Sequence, residues 1–258
     1  PVPGKQAIRY GGNTNCVTLT IADRHFFIFD AGTGIKALSD QLMQQKKKNI
    51  NAKIFITHPH YDHINGIPYF APLYEEGNNF EFLGPDHDSL TIETLISKQM
   101  DSIYFPVTVK EFLSKIKFRS LNEGTFDIDG IKVRAIYLNH PGQCLGYRVE
   151  HRNKSFCYIT DNELYLEDSS FYKNEDVERL IAFLQNTDIV VMDATYTDEE
   201  NKQKVGWGHA CVSRVVDICD KAQVKLLCLH HHSPGQLDKD IQAKLKDANK
   251  LLKAKHSA

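Results

Sequence analysis

The sequence predicts a mixed α/β protein built from groups of strands that are each followed by helices. Three observations carry that expectation. Short runs rich in β-branched and aromatic residues, such as 16–21 and 25–29, are bounded by turn residues. Apolar residues recur at helical spacing between them, as at Ile35, Leu38, Leu42 and Met43. Strand groups then alternate with helical stretches along the chain, which suggests two sheets packed face to face with helices outside.

The elements follow in order. The runs 16–21 and 25–29 read as two strands joined by a turn at Ala22-Asp23-Arg24. Gly32 and Gly34 break the chain before the first helix, and Asn49 is a plausible stop after it. A strand at 53–57 comes next, and 88–100 reads as a helix with Leu95 and Ile96 facing inward. The run from Phe126 to Val133 is the clearest hairpin, because Asp129-Gly130 supplies its turn. Strands at 145–150 and 155–160 flank the polar turn His151-Arg152-Asn153-Lys154. A helix covers about 176–185, and Ile189-Val190-Val191-Met192 reads as a strand buried on both faces. Val212, Val215, Val216 and Cys219 mark a further helix face, 224–229 a strand, and 238–254 a last helix.

Bulk composition narrows the function classes. A chain of 258 residues, 41% apolar and 25% charged, suits one large soluble domain or two small ones. The expectation is a single domain over 1–258, with 80–120 forming a lid segment. A net charge of −2 gives no global electrostatic case for nucleic acid or an anionic membrane. No apolar run has the length of a membrane span, and the opening Pro1-Val2-Pro3-Gly4-Lys5 lacks signal-peptide character. Cysteines 16, 157, 219 and 228 lie in or beside apolar runs without Cys-x-x-Cys pairs, so they read as buried thiols of a reducing, cytoplasmic compartment.

The chemistry concentrates in Thr57-His58-Pro59-His60-Tyr61-Asp62-His63, which directly follows the apolar run from Lys53 to Ile56. Imidazole and carboxylate together suit zinc and similar divalent ions. In an extended segment residues 58 and 60 point to the same side, so their rings can grip one ion. Asp62 and His63 follow where the chain must turn, so they can face a second ion. Paired ions about 4 Å apart are a device for hydrolysis. Three other strands end in metal-capable residues: Asn139-His140 after Leu138, Asp161 after Thr160, and His230-His231-His232 after Leu229.

The His-x-His-x-Asp-His run resembles the motif of the metallo-β-lactamase-like hydrolase superfamily, and the resemblance extends from about residue 8 to 235. It implies the four-layer αββα sandwich of that superfamily. It implies that His58, His60 and His140 hold one divalent ion, that Asp62, His63 and His230 hold the other, and that Asp161 bridges them. Between adjacent histidines, His231 remains the fallback for His230. Zinc leads as the metal, with manganese and iron left open. Asp rather than Cys at position 161 departs from the thiolate–zinc sites of the antibiotic-hydrolysing subclasses.

Two further segments narrow the branch. Met192-Asp193-Ala194-Thr195 and Gly206-Trp207-Gly208-His209-Ala210 look like the carboxylate and the histidine of the phosphodiesterase and ribonuclease Z-type branches. There the histidine assists the leaving group and the carboxylate orients it. Asp193 stands where ribonuclease Z carries the longer Glu, which leaves its reach to His209 open. Gly11-Gly12-Asn13-Thr14-Asn15 resembles the loop that opens such domains, where backbone donors can approach a phosphate.

The expected activity is therefore hydrolysis of a cyclic nucleotide, a cyclic phosphoribosyl compound or another small phosphodiester through a metal-bridging hydroxide. Asp62 would aim the nucleophile, and His209 with Asp193 would serve the leaving group. The alternatives are a thioester hydrolase of the glyoxalase II type and a non-catalytic metal- or nucleotide-binding sensor module. No long basic insertion suited to clamping tRNA is present, so long RNA is not the expected substrate. Neither is a membrane partner, and self-association into a homodimer is left open.

Overall fold

The computed structural model describes residues 3–256, so Pro1 and Val2 of the opening segment lie outside the described residues. The chain divides into two compact units. One is Asn13–Glu123, and the other comprises the described residues from Gly124 onward together with those before Asn13. Each is built on one sheet.

In the unit 13–123 the sheet has the order β1-β2-β3-β4-β5, formed by β1 (Val17–Ile21), β2 (His25–Phe29), β3 (Asn51–Phe55), β4 (Asn79–Gly84) and β5 (Lys115–Ser120). The β1–β2 pair is an antiparallel hairpin. Its three-residue turn places Ala22 at φ +50° and Asp23 at φ +54°, and the Arg24 N–H closes it onto the Ile21 carbonyl at 3.1 Å. From β2 onward the strands run parallel. Three helices complete the unit: α1 (Gly34–Gln44), α2 (Tyr61–Ile64) and α3 (Ile92–Gln99). The core gathers Ile28, Ile54, Ile56, Phe70, Phe80, Phe82 and Ile96, all essentially inaccessible. Each such side chain contributes about 1.5–3 kcal/mol by leaving water.

Two details differ from expectation for physical reasons. Met43 is 40% exposed. Ser39 is buried in α1 instead, because its hydroxyl accepts the Ala71 N–H at 3.0 Å. The third helix starts only at Ile92, where Thr91 caps it by accepting from the Thr94 N–H. The segment 80–120 is woven into the sheet: β4 and β5 pair in parallel, and Phe80, Phe82, Ile92, Ile96 and Met100 fill the core beneath them. Within it Phe105 packs edge-on against Tyr69 at 5.6 Å, while Tyr104 is 79% exposed.

The other unit carries the sheet β11-β10-β9-β8-β7-β6. Its strands are β6 (Gly124–Ile128), β7 (Ile131–Tyr137), β8 (Leu145–His151), β9 (Lys154–Ile159), β10 (Ile189–Asp193) and β11 (Leu226–His230). Asp129-Gly130 and Arg152-Asn153 form two more tight turns with positive φ. β9, β10 and β11 are parallel, joined through α4 (Asn174–Leu184), α5 (Asp198–Asn201) and α6 (Val212–Lys221). The last helix, α7 (Asp238–Lys255), packs Ala248 against Val212 and Val216 of α6. The main core joins Cys157, Ile159, Leu184, Val190, Met192, Val215 and Ile218. All six cysteines are free thiols, and burial pushes Cys219 up to about 12. No helix among the described residues is long and apolar enough to cross a membrane.

Candidate functional site

Parallel strands deliver their C-terminal ends to one edge of a sheet, and loops leaving that edge are where polar groups can gather. In the unit 13–123, β2 runs out into Asp30 and β3 into Thr57 and His58. Asp30 takes φ +58° to turn off the strand, and its carboxylate is fully buried. It accepts the Thr57 N–H at 2.8 Å and the His63 Nδ1–H at 2.7 Å. With Nδ1 carrying the proton, Nε2 of His63 presents its lone pair and accepts from Asn15 Nδ2 at 2.9 Å. Asp62 Oδ2 lies 3.2 Å from the same Nε2. His58 Nε2 and His60 Nδ1 approach to 2.8 Å. The four motif residues His58, His60, Asp62 and His63 are thus drawn into one cluster. Their loop is pressed tightly against its neighbour. The Gly66 N–H bonds the Ala31 carbonyl at 2.8 Å, and a Cβ at Gly66 would overlap the Gly32 carbonyl.

A buried carboxylate on the far nitrogen of a histidine fixes the tautomer that a metal ligand needs. That observation, with imidazole nitrogens and a carboxylate gathered around it, makes the donor set fit a divalent ion. We expect Asp30→Asn to lower zinc affinity by about 10–100-fold while the protein stays folded, read by competition with a chromogenic chelator. Unchanged affinity would remove Asp30 from the site.

The other unit assembles a second set in the same way. Asp161 follows β9 with φ +21°, a strained value for a non-glycine residue, and Thr160 Oγ1 donates to it at 2.7 Å. His140, after β7, stands with Nε2 3.6 Å from Asp161 Oδ2. His231 places Nε2 3.1 Å from Asp161 Oδ1. Asp193 ends β10, fully buried, and accepts from His209 Nδ1 at 3.0 Å, so the Asp side chain does span the gap. It also accepts from the Asn162 N–H at 3.1 Å and the Thr195 hydroxyl at 2.6 Å. The His209 ring stacks on His231 with centroids 4.9 Å apart. One ligand atom each from Asp161, His209 and His231 falls within 4.8 Å of the others. Behind them, buried Lys244 of α7 donates to the carbonyls of Ala194 at 2.6 Å and Thr195 at 3.2 Å. Burial pulls its pKa down to about 8.

Of the two neighbouring histidines, His231, the fallback, is the one whose ring the structure brings to Asp161 and His209, and His230 is not among the residues gathered there. His230 is still in the sheet, in register with Asp193, and its ring lies beside Tyr158 at 5.8 Å. His231 leaves the strand at φ +55°, and that left-handed step carries its ring to Asp161, His209 and Thr195.

Sequence reasoning passed over Asp30 and Glu163, and it named Asn15 and Thr195 only as members of the segments 11–15 and 192–195. Asp30 carried a signal, a carboxylate directly after the buried strand end Phe29. The loop 11–15 supplies a side chain here: Asn15 Nδ2 donates to Asp62 Oδ2 at 3.3 Å as well as to His63.

Comparison with known proteins identifies the fold and the family. A ribonuclease Z of Prochlorococcus marinus (strain MIT 9515) is 26% identical, over 88% of this chain and 84% of its own length. The unliganded yeast PDE1 is similar in structure with a TM-score of 0.71 at 14% identity, covering 99% of this chain and 92% of that one. The metallo-β-lactamase fold protein YhfI from Bacillus subtilis gives 0.66 at 14% identity, covering 96% and 90%. Residues 25–232 match the beta-lactamase superfamily domain, a stretch that contains both His/Asp clusters and the Asp193–His209 pair. The chain has the metallo-β-lactamase fold and belongs to the beta-lactamase superfamily.

Proposed function

We infer that this metal-dependent hydrolase cleaves a small phosphodiester, such as a cyclic nucleotide or a cyclic phosphoribosyl compound. In this reading His58, His60, Asp62 and His63 of one unit, and His140, Asp161 and His231 of the other, would hold the divalent ions. When bound, the ions supply Lewis acidity toward a phosphoryl oxygen and lower the pKa of water. Zinc suits the imidazole and carboxylate donors, and manganese and iron are the other arms of the metal test.

The chain's own groups do the rest. Asp62, whose side chain is 41% exposed, is the carboxylate placed to accept a proton from water and to aim it. Asn15, at 3.3 Å, restrains that carboxylate. His209 passes a proton to the departing oxygen from Nε2, because Nδ1 is committed to Asp193. The observation that carries the reading is this His209–Asp193 contact of 3.0 Å beside a carboxylate–imidazole cluster. A thioester hydrolase, whose leaving thiolate needs little protonation, has no use for it.

A second reading has its own support. Relatives such as the Prochlorococcus protein bear the name ribonuclease Z at 26% identity, which favours an RNA substrate and stands against the expectation drawn from net charge. One panel separates the readings: zinc- or manganese-loaded protein with 3′,5′- and 2′,3′-cyclic nucleotides, a thioester, and an RNA bearing a 3′ extension. Turnover of the cyclic nucleotides with the RNA left intact is the expected result. Cleavage of the RNA alone would transfer the protein to the second reading. Cleavage of the thioester alone would end the phosphodiesterase assignment.

A further inference from the structure

We propose that Glu163 is a positioning residue whose buried carboxylate holds the turn 206–208 and thereby sets the ring of His140 and the placement of His209. The inference rests on the ligand role of His140 and the proton-donor role of His209 given above.

Glu163 is only 6% exposed, two residues beyond Asp161. A carboxylate so buried is costly unless donors surround it. Here the donors are backbone amides. Gly206 N–H donates to Oε1 at 2.6 Å and Gly208 N–H donates to Oε2 at 2.8 Å. Both distances are at the short, charge-assisted end for such bonds. The turn needs its glycines. Gly206 and Gly208 take φ +86° and +82°, and a Cβ on Gly208 would overlap the His140 ring at Nδ1.

The same glycine touches the proposed ligand through its carbonyl, one peptide unit further along. The Gly208 carbonyl accepts from His140 Nδ1 at 2.9 Å. A carbonyl oxygen can only accept, so Nδ1 carries the proton and Nε2 is the nitrogen turned to Asp161. Glu163 is tied to the His140 segment through its own backbone as well. Its N–H donates to the Asn139 carbonyl at 2.7 Å, and Asn139 Nδ2 donates back to its carbonyl at 3.0 Å. The next residue along the turn is His209, whose ring centroid lies 5.4 Å from that of His140. One carboxylate thus fixes the tautomer of one imidazole and the chain position of another. A carboxylate serving only to close a loop would leave both imidazoles unaffected when neutralised.

The test uses E163Q, in which one carboxylate oxygen becomes an NH2 that cannot accept. Four readings are taken: the ring-nitrogen NMR signals of His140 without metal, the emission of Trp207, zinc affinity by chelator competition, and kcat with KM on a phosphodiester. Trp207 is the chain's single tryptophan and sits in this turn. The proposal predicts that E163Q loses the Nδ1–H tautomer signature of His140 and shifts the Trp207 emission. Zinc affinity and kcat each fall about 10–100-fold while KM holds. An unchanged His140 tautomer with unchanged zinc affinity and kcat overturns it. Amide hydrogen exchange of wild-type Gly206 and Gly208 decides the matter even if E163Q does not fold. Slow exchange is expected, and exchange at the rate of an open loop overturns the proposal. A wild-type protein that binds no zinc would sink the ligand reading instead, while the tautomer and exchange measurements still judge Glu163.

Discussion

Replacing His209 with alanine lowers kcat on an alkyl phosphodiester by about 10²–10⁴-fold, the contribution typical of a positioned general acid. The same change costs far less on a 4-nitrophenyl ester, because that phenolate departs without a proton. The contrast between the two substrates is the informative quantity. His209 is held by Asp193 at 3.0 Å and by the stacked His231 ring. It also lies close enough to Asp161 and His231 to be a ligand itself. The two roles separate cleanly. A proton donor can be removed with metal content intact and with a leaving-group-dependent loss. A ligand takes an ion with it and slows both substrates alike, and that outcome would refute the acid role.

The second large effect is expected at Asp161. Asp161→Ala should reduce turnover of both esters together and strip at least one ion from the protein, read by parallel rate and metal assays. The loss should exceed the roughly 10–100-fold that follows from removing a ligand's supporting partner. The carboxylate is 2% exposed and sits 3.1 Å from His231 Nε2 and 3.6 Å from His140 Nε2. Both rings approach this one carboxylate, and its backbone is held at φ +21°, a strained value for a non-glycine residue. Asp161→Asn, which keeps the shape and drops the charge, should lose metal almost as fully. Retention of two ions by either variant would remove Asp161 from the centre.

Much of this was legible in the chain because the relevant information is local. His58, His60, Asp62 and His63 are contiguous after a buried strand, so their cluster follows from strand direction and one turn. The hairpin at Asp129-Gly130 announces itself through residues that accept positive φ. Contacts between distant segments are different. Nothing near position 30 says that its carboxylate will meet His63, since that meeting depends on the parallel register of β2 and β3. His230 and His231 are indistinguishable in composition, and a single left-handed residue brings the ring of the second to Asp161. Phe80 and Phe82 do alternate as a strand should, but Lys115, Lys117 and Arg119 on β5 mask its pairing with β4. Charge along an edge strand protects it from unwanted pairing and also hides it from pattern reading.

The central claim is that these histidines and carboxylates hold a pair of divalent ions, and elemental analysis of the purified protein after zinc loading and dialysis tests it most directly. The account predicts two zinc ions per chain, both removed by a strong chelator together with phosphodiesterase activity, and both restored with it. A folded chain that retains no zinc, or that hydrolyses phosphodiesters equally well after its metal is stripped, would contradict it.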